Sequence, residues 1–175
     1  MQNAHVYIGL INPKSPENVG SVMRAAGNFN IDQVFYSGSR YPRALRLNPG
    51  VMNTGRKVGQ DISLNSAENI FSAAASDMRL VCVEFAENAI ALPDYHHPQN
   101  AMYIFGPEDG SITQDVIDKA DDVVYVPTTG CMNLAATVNV VLYDRLSKSF
   151  SLDKEQHNEM IRRNRDLNNR LKVIR

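Results

Sequence analysis

Five short apolar runs, residues 6–11, 34–36, 80–83, 102–105 and 123–126, constrain this chain most. They are rich in β-branched residues and read as strands buried on both faces. Between them lie stretches with helical spacing. Val19, Val22, Met23, Ala26 and Phe29 form one apolar stripe, and Leu134, Val138, Val141, Leu142 and Leu146 form another. Alternation of this kind predicts an α/β fold, a mostly parallel sheet flanked by helices.

Other segments are less regular. Thr113, followed by Gln114, Asp115, Val116 and Ile117, predicts a short helix capped by Thr113 and running towards Ala120. Segment 33–60 carries Arg40, Arg43, Arg46, Arg56 and Lys57, no acidic residue, and the breakers Pro42 and Pro49. It reads as an irregular basic loop region. From 151 the composition turns to a polar helix pattern ending in Arg162, Arg163, Arg165, Arg170, Lys172 and Arg175. The expected organisation is one domain over 1–150 and a basic helical extension over 151–175. For that extension a solvated helix and an RNA contact fit equally.

Charge narrows the function less than the motifs do. With 18 Lys+Arg against 19 Asp+Glu, bulk charge attracts no polyanion, so a nucleic-acid partner would have to be held by local patches. The N-terminus lacks the basic start and apolar core of a signal peptide, and no apolar run is long enough to span a bilayer. A soluble, cytoplasmic protein is expected. Cys82 and Cys131 have neither metal-ligand nor disulfide-scaffold spacing, so reduced thiols are expected. His5, His96, His97 and His157 also lack ligand spacing, and His96 and His97 beside Pro98 read as a surface loop. No metal site is expected.

Three strand-to-loop-to-helix junctions carry the polar residues. In the first, Asn12-Pro13-Lys14-Ser15-Pro16-Glu17-Asn18 opens a helix near Asn18, with Arg24 off the apolar stripe and able to reach a phosphate. In the second, strand 102–105 ends in Gly106-Pro107-Glu108-Asp109-Gly110-Ser111, where Gly106 admits a ligand close to the backbone. In the third, Pro127-Thr128-Thr129-Gly130-Cys131-Met132-Asn133 leads into a helix at whose start Asn133 reads as an N-cap.

Together, and in this order, the three junctions resemble the signature motifs of the SpoU-type methyltransferases of the SPOUT superfamily. The likeness is greatest to the compact tRNA enzymes that modify the wobble nucleotide. It covers residues 6 to about 146. It implies a sheet whose C-terminal part threads a loop to form a deep trefoil knot, which connection rules alone would not anticipate. It also implies S-adenosylmethionine held by three strand-end loops, here at Val83 and Glu84, at Gly106, and at Val126, Cys131 and Met132. S-adenosylhomocysteine would be the product.

The resemblance further implies a catalytic set of Asn18, Arg24, Glu108 and Asn133, and a homodimer through the knot in which Arg24 of one subunit completes the other's site. RNA would lie against Arg24, Arg40, Arg43, Arg46, Arg56 and Lys57. Arginine's high pKa makes Arg24 a phosphate clamp and polariser rather than a base. Glu108 would fix the loop or orient Arg24.

The sequence departs from the family pattern at Cys131, where serine is usual, at Ser111, where glycine is common, and in a shortened loop after Pro127. Substrate choice stays open between tRNA and ribosomal RNA, and a non-catalytic RNA-binding member is a second alternative. A Rossmann-type nucleotide domain is disfavoured, since no Gly-x-Gly-x-x-Gly follows the first strand.

Overall fold

The computed structural model describes residues 4–47 and 62–174. Seven strands form one parallel sheet: β1 (Val6–Ile11), β2 (Gln33–Ser37), β3 (Leu64–Ser66), β4 (Arg79–Val83), β5 (Ile90–Ala91), β6 (Ala101–Phe105) and β7 (Asp122–Tyr125). Their spatial order is β3-β2-β1-β6-β4-β7-β5. The five expected strands are present to within a residue or two, and β3 and β5 add short edges.

β6 lies at the centre, and all five of its residues are buried. Because side chains alternate across a strand, Met102 and Ile104 face one layer and Tyr103 and Phe105 the other. The first layer packs Cys82, Ile70, Met78 and Ile112 around Met102 and Ile104. The second joins Ile8, Leu10, Val81, Val83 and Val124 to two helices, α1 (Pro16–Asn28) and α4 (Leu134–Ser149). α1 buries Val19, Val22, Ala25 and Ala26, and α4 buries Leu134, Ala135, Val138, Val141 and Leu142.

Register brings the functional ends together. Leu10 pairs with Phe105, Phe105 with Val83, and Val83 with Val124, so the C-terminal ends of β1, β6, β4 and β7 share one rim. In parallel sheets the loops leaving that rim are where ligands bind.

Several expectations are corrected. Segment 33–60 is not a continuous loop: its described part holds β2 and a helix, α2 (Arg40–Leu47). α1 starts at Pro16 with Ser15 as its cap, so Asn18 lies inside the helix. α3 (Gln114–Ile117) is a single turn, and the Thr113 side chain makes no capping hydrogen bond. Leu146 is 41% exposed. The polar tail forms α5 (Lys154–Asn164), opened by a capping box between Asp153 and Gln156, and the helix stops well before the C-terminus. His97 turns inward, its side chain only 5% exposed.

Candidate active site

The loops leaving β4, β6 and β7 enclose a cleft of about 420 Å³, lined by Val83 and Glu84, by residues 105–111, and by Val126, Cys131, Met132 and Leu134. That volume lies within the roughly 300–1,000 Å³ usual for small-molecule sites. All six positions assigned to a cofactor, Val83, Glu84, Gly106, Val126, Cys131 and Met132, line it.

Glu84 staples two of the loops. One carboxylate oxygen accepts from the Phe85 N–H at 2.9 Å, and the other from the Ile112 N–H at 2.8 Å. Gly106 sits against this staple, and a Cβ there would stand 3.0 Å from Ile112 Cγ1 and 3.6 Å from Glu84 Oε2. Close approach therefore selects glycine at 106. Ser111 needs no such allowance, since its backbone does not enter the left-handed region.

A chain of hydrogen bonds crosses the cleft's edge and joins all three motifs. Glu108 accepts from the backbone N–H of Lys14 at 2.7 Å, the N–H of Ser15 at 2.9 Å and the Asn18 side-chain amide at 3.2 Å. Asn133 donates its amide to Asn18 Oδ1 at 2.9 Å, while its own oxygen accepts from the N–H groups of Ala135 and Ala136. The polarity is forced. A carboxylate only accepts, so Asn18 turns its NH₂ to Glu108 and its oxygen to Asn133, which must turn its oxygen to the start of α4.

Partial burial pushes the Glu108 carboxyl up. The N–H groups of Ser15, Glu108 itself and Lys14, with the Asn18 amide, outweigh that and hold it below the usual glutamate value. It is built as an anchor for the first loop. Beside it, Asp109 receives a two-pronged contact from Arg40, both N···O distances 2.8 Å, and a third from Lys14 at 3.3 Å. The Arg40 hydrogen bonds bring its carboxyl down to about 2. Arg40, expected on RNA, is thus tied within the protein.

Arg24 is exposed on α1, nearly two turns beyond Asn18, and does not line the cleft. Arg43 and Arg46 are exposed on α2. Arg56 and Lys57 lie outside the described residues. Among the described residues no three His, Cys, Asp or Glu side chains gather as metal ligands would. Sequence reasoning missed Phe85 and Tyr125, two aromatic rings 5.8 Å apart that both line the cleft. Their positions at the ends of β4 and β7, beside Glu84 and Val126, were the available signal.

Residues 5–143 match the model of the SpoU rRNA methylase family. The chain belongs to that family. Membership makes it an RNA methylase by descent, and the matched span contains all three motifs. A relative is the tRNA (cytidine-2'-O-)-methyltransferase TrmJ of Methanocaldococcus jannaschii, 28% identical over 82% of this chain and 68% of its own. In fold the chain is similar to a protein solved in work on 2-OH methylation of C/U34 on tRNA, with TM-score 0.69, 19% identity, and coverage of 85% of this chain and 93% of the other. It is also similar to the SpoU methyltransferase AviRb of Streptomyces viridochromogenes in complex with AdoMet, with TM-score 0.64, 18% identity, and coverage of 87% and 61%.

Proposed function

We propose that this SpoU-family chain transfers the methyl group of S-adenosylmethionine to a ribose 2'-hydroxyl of RNA, with tRNA as the substrate, and releases S-adenosylhomocysteine. The observation that carries the reading is one cleft lined by all six cofactor positions, with Asn133, Asn18 and Glu108 hydrogen-bonded in series at its edge. The residues present suit the cofactor. Phe85 and Tyr125 offer faces for a flat ring, Val83, Met132 and Leu134 offer apolar wall, and Glu84 and Glu108 offer negative charge to a cationic ligand.

When bound, S-adenosylmethionine supplies an electrophilic methyl on a sulfonium, and the chain's task is to align the ribose oxygen with it. Asn133 has a second amide hydrogen beyond the one given to Asn18, and it holds the ribose. Glu108 keeps the first loop in place and takes no proton, its oxygens being occupied by donors. Arg24 grips the phosphate beside the target and polarises the 2'-oxygen. The phosphate or water accepts the proton.

Arg24 reaches this position in a homodimer through the knot region, where it serves the cleft of the other subunit. Tyr143 and Leu146, 64% and 41% exposed on α4, favour such an interface. The knot belongs to the same proposal. It is supported by α4, which packs on α1 while Arg145 and Lys148 donate to backbone carbonyls of Pro98, Gln99, Leu92 and Tyr95 on the other side. Residues 151–175 act as an appendage to the methylase domain 1–150. α5 buries none of its residues, in keeping with that division. The cytoplasm is the compartment proposed.

The test is nucleoside mass mapping of total RNA from cells with and without the gene. Loss of one 2'-O-methyl from tRNA is expected. Loss from ribosomal RNA instead would move the substrate, and no change at any position would end the enzyme reading. Titration calorimetry with S-adenosylmethionine then separates a non-catalytic binder from an enzyme.

A further inference from the structure

The Arg40–Asp109 contact does more than remove an arginine from the RNA face. Asp109 lines the cofactor cleft, and the same carboxylate is gripped by both guanidinium prongs of the first residue of α2. α2 has no acidic residue in its first turn and opens instead with Arg40, a cation at the positive end of the helix dipole. Asp109, from a loop 69 residues away, supplies the missing negative charge there. The Arg40 N–H also lies 3.4 Å from Asn12 Oδ1, so the start of α2 rests on the first and second motif loops together.

Further along the same helix, Arg43 and Arg46 are exposed. Resting on the proposed function, we infer that Arg40 and Asp109 form a strut coupling the cofactor cleft to α2, so that occupancy of the cleft sets the helix carrying Arg43 and Arg46 for RNA. Arg40 is a positioning residue, acting through Asp109 on one side and α2 on the other. Two-pronged arginine–carboxylate geometry suits this role because it fixes orientation as well as distance. A lone exposed ion pair would transmit little, but here Lys14 makes a third contact to the same carboxylate.

The strut predicts reciprocal coupling: S-adenosylhomocysteine in the cleft tightens binding of RNA, and RNA tightens binding of S-adenosylhomocysteine by the same factor, about fivefold. The measurement is the Kd of the full chain for deproteinised bulk tRNA with and without saturating S-adenosylhomocysteine, for the unaltered protein, Arg40→Gln and Arg40→Lys. Amide exchange over 40–47 is followed in parallel. Expected are tightening and slower exchange in the unaltered protein, neither in Arg40→Gln, and partial recovery in Arg40→Lys, which keeps the charge but not the fork.

If Arg40 merely touched phosphate, Arg40→Gln would weaken tRNA binding equally with and without S-adenosylhomocysteine, and the inference would be overturned. Unchanged exchange over 40–47 on adding S-adenosylhomocysteine to the unaltered protein would overturn it too. Failure of the unaltered protein to bind S-adenosylhomocysteine at all strikes the proposed function itself, whereas binding without coupling removes only the strut.

Discussion

At the scale of single residues, the proposed function assigns holding to one set of side chains and the RNA contact to another. Glu108 and Asn18 are occupied with each other and with the first loop, while Arg24 stands exposed outside the cleft. Arg24→Ala should therefore lower the rate of methyl transfer by roughly 100-fold or more and leave S-adenosylmethionine affinity near normal. Single-turnover rates and calorimetry on the same preparation check this, and a matching loss of cofactor affinity would contradict the role. Gly106→Val should do the reverse. Its side chain would begin 3.0 Å from Ile112 Cγ1 and 3.6 Å from Glu84 Oε2, pushing apart the stapled loops that form the cleft wall, so cofactor affinity should fall by at least about tenfold, near 1.4 kcal/mol. Unchanged affinity in that variant would place the cofactor elsewhere. Asn18, Glu108 and Asn133 could be singled out as candidates because each belongs to a strand-to-loop-to-helix junction, whereas Arg24, well inside α1, was singled out by its place off the apolar stripe and by the family resemblance. Phe85 and Tyr125 were not, because an aromatic at a strand end reads as core.

Elements tell a similar story about which signals survive in sequence. β1, β4, β6 and β7 were legible because each has a neighbour on both sides within a covered sheet and so is apolar almost throughout. β3 and β5, three and two residues long, each have one neighbour and carry too little pattern to stand out. α2 was hidden for a different reason. Pro42 falls in its first turn, where a missing N–H is tolerated, and its stabilising acid comes from Asp109 rather than from its own sequence. α4 offers the test at this scale. Asn133→Ala removes both its cap and the support of Asn18, and should cost about 1 kcal/mol of stability, seen as a lower Tm. Asn133→Asp keeps a good cap but presents a carboxylate to the oxygen of Asn18. That variant should retain most of the Tm while losing methyl transfer, and equal activity in Asn133→Asp and the unaltered protein would show that the amide chain is dispensable.

Across the whole molecule, the end of the sheet opposite the cleft is fastened by a partly buried polar cluster between α4 and the segment before β6. Asp144 takes His97 Nε2 at 2.8 Å and Lys148 at 2.7 Å, and Tyr103 lies 2.6 Å from His97 Nδ1 while accepting from Arg145 at 3.1 Å. Burial lowers the pKa of His97, and the charges of Arg145 and Lys148 add to that. Asp144 pulls the other way but does not prevail. Burial pushes Asp144 itself up, yet Lys148 and His97 more than reverse this and keep it ionised. The imidazole is therefore neutral in the fold, donating its Nε2–H to Asp144 and accepting at Nδ1 a hydrogen bond from the Tyr103 hydroxyl. In the unfolded chain the same histidine titrates near 6.5. Above that pH both states bind no proton there and stability is full. As pH falls below it the unfolded state gains a proton that the folded state resists, so stability declines until the folded pKa is passed. Thermal melts from pH 8 downward should show a Tm that holds to about pH 6.5 and then falls, before the depressed carboxyls of Glu108 and Asp144 titrate at more acid pH. His97→Phe should melt lower at pH 8, having left Tyr103 and Asp144 without that partner, yet show a flatter Tm between about pH 6.5 and 5. A variant as pH-sensitive as the unaltered chain in that window would mean that another group, and not this fastening, sets the acid limit of the fold.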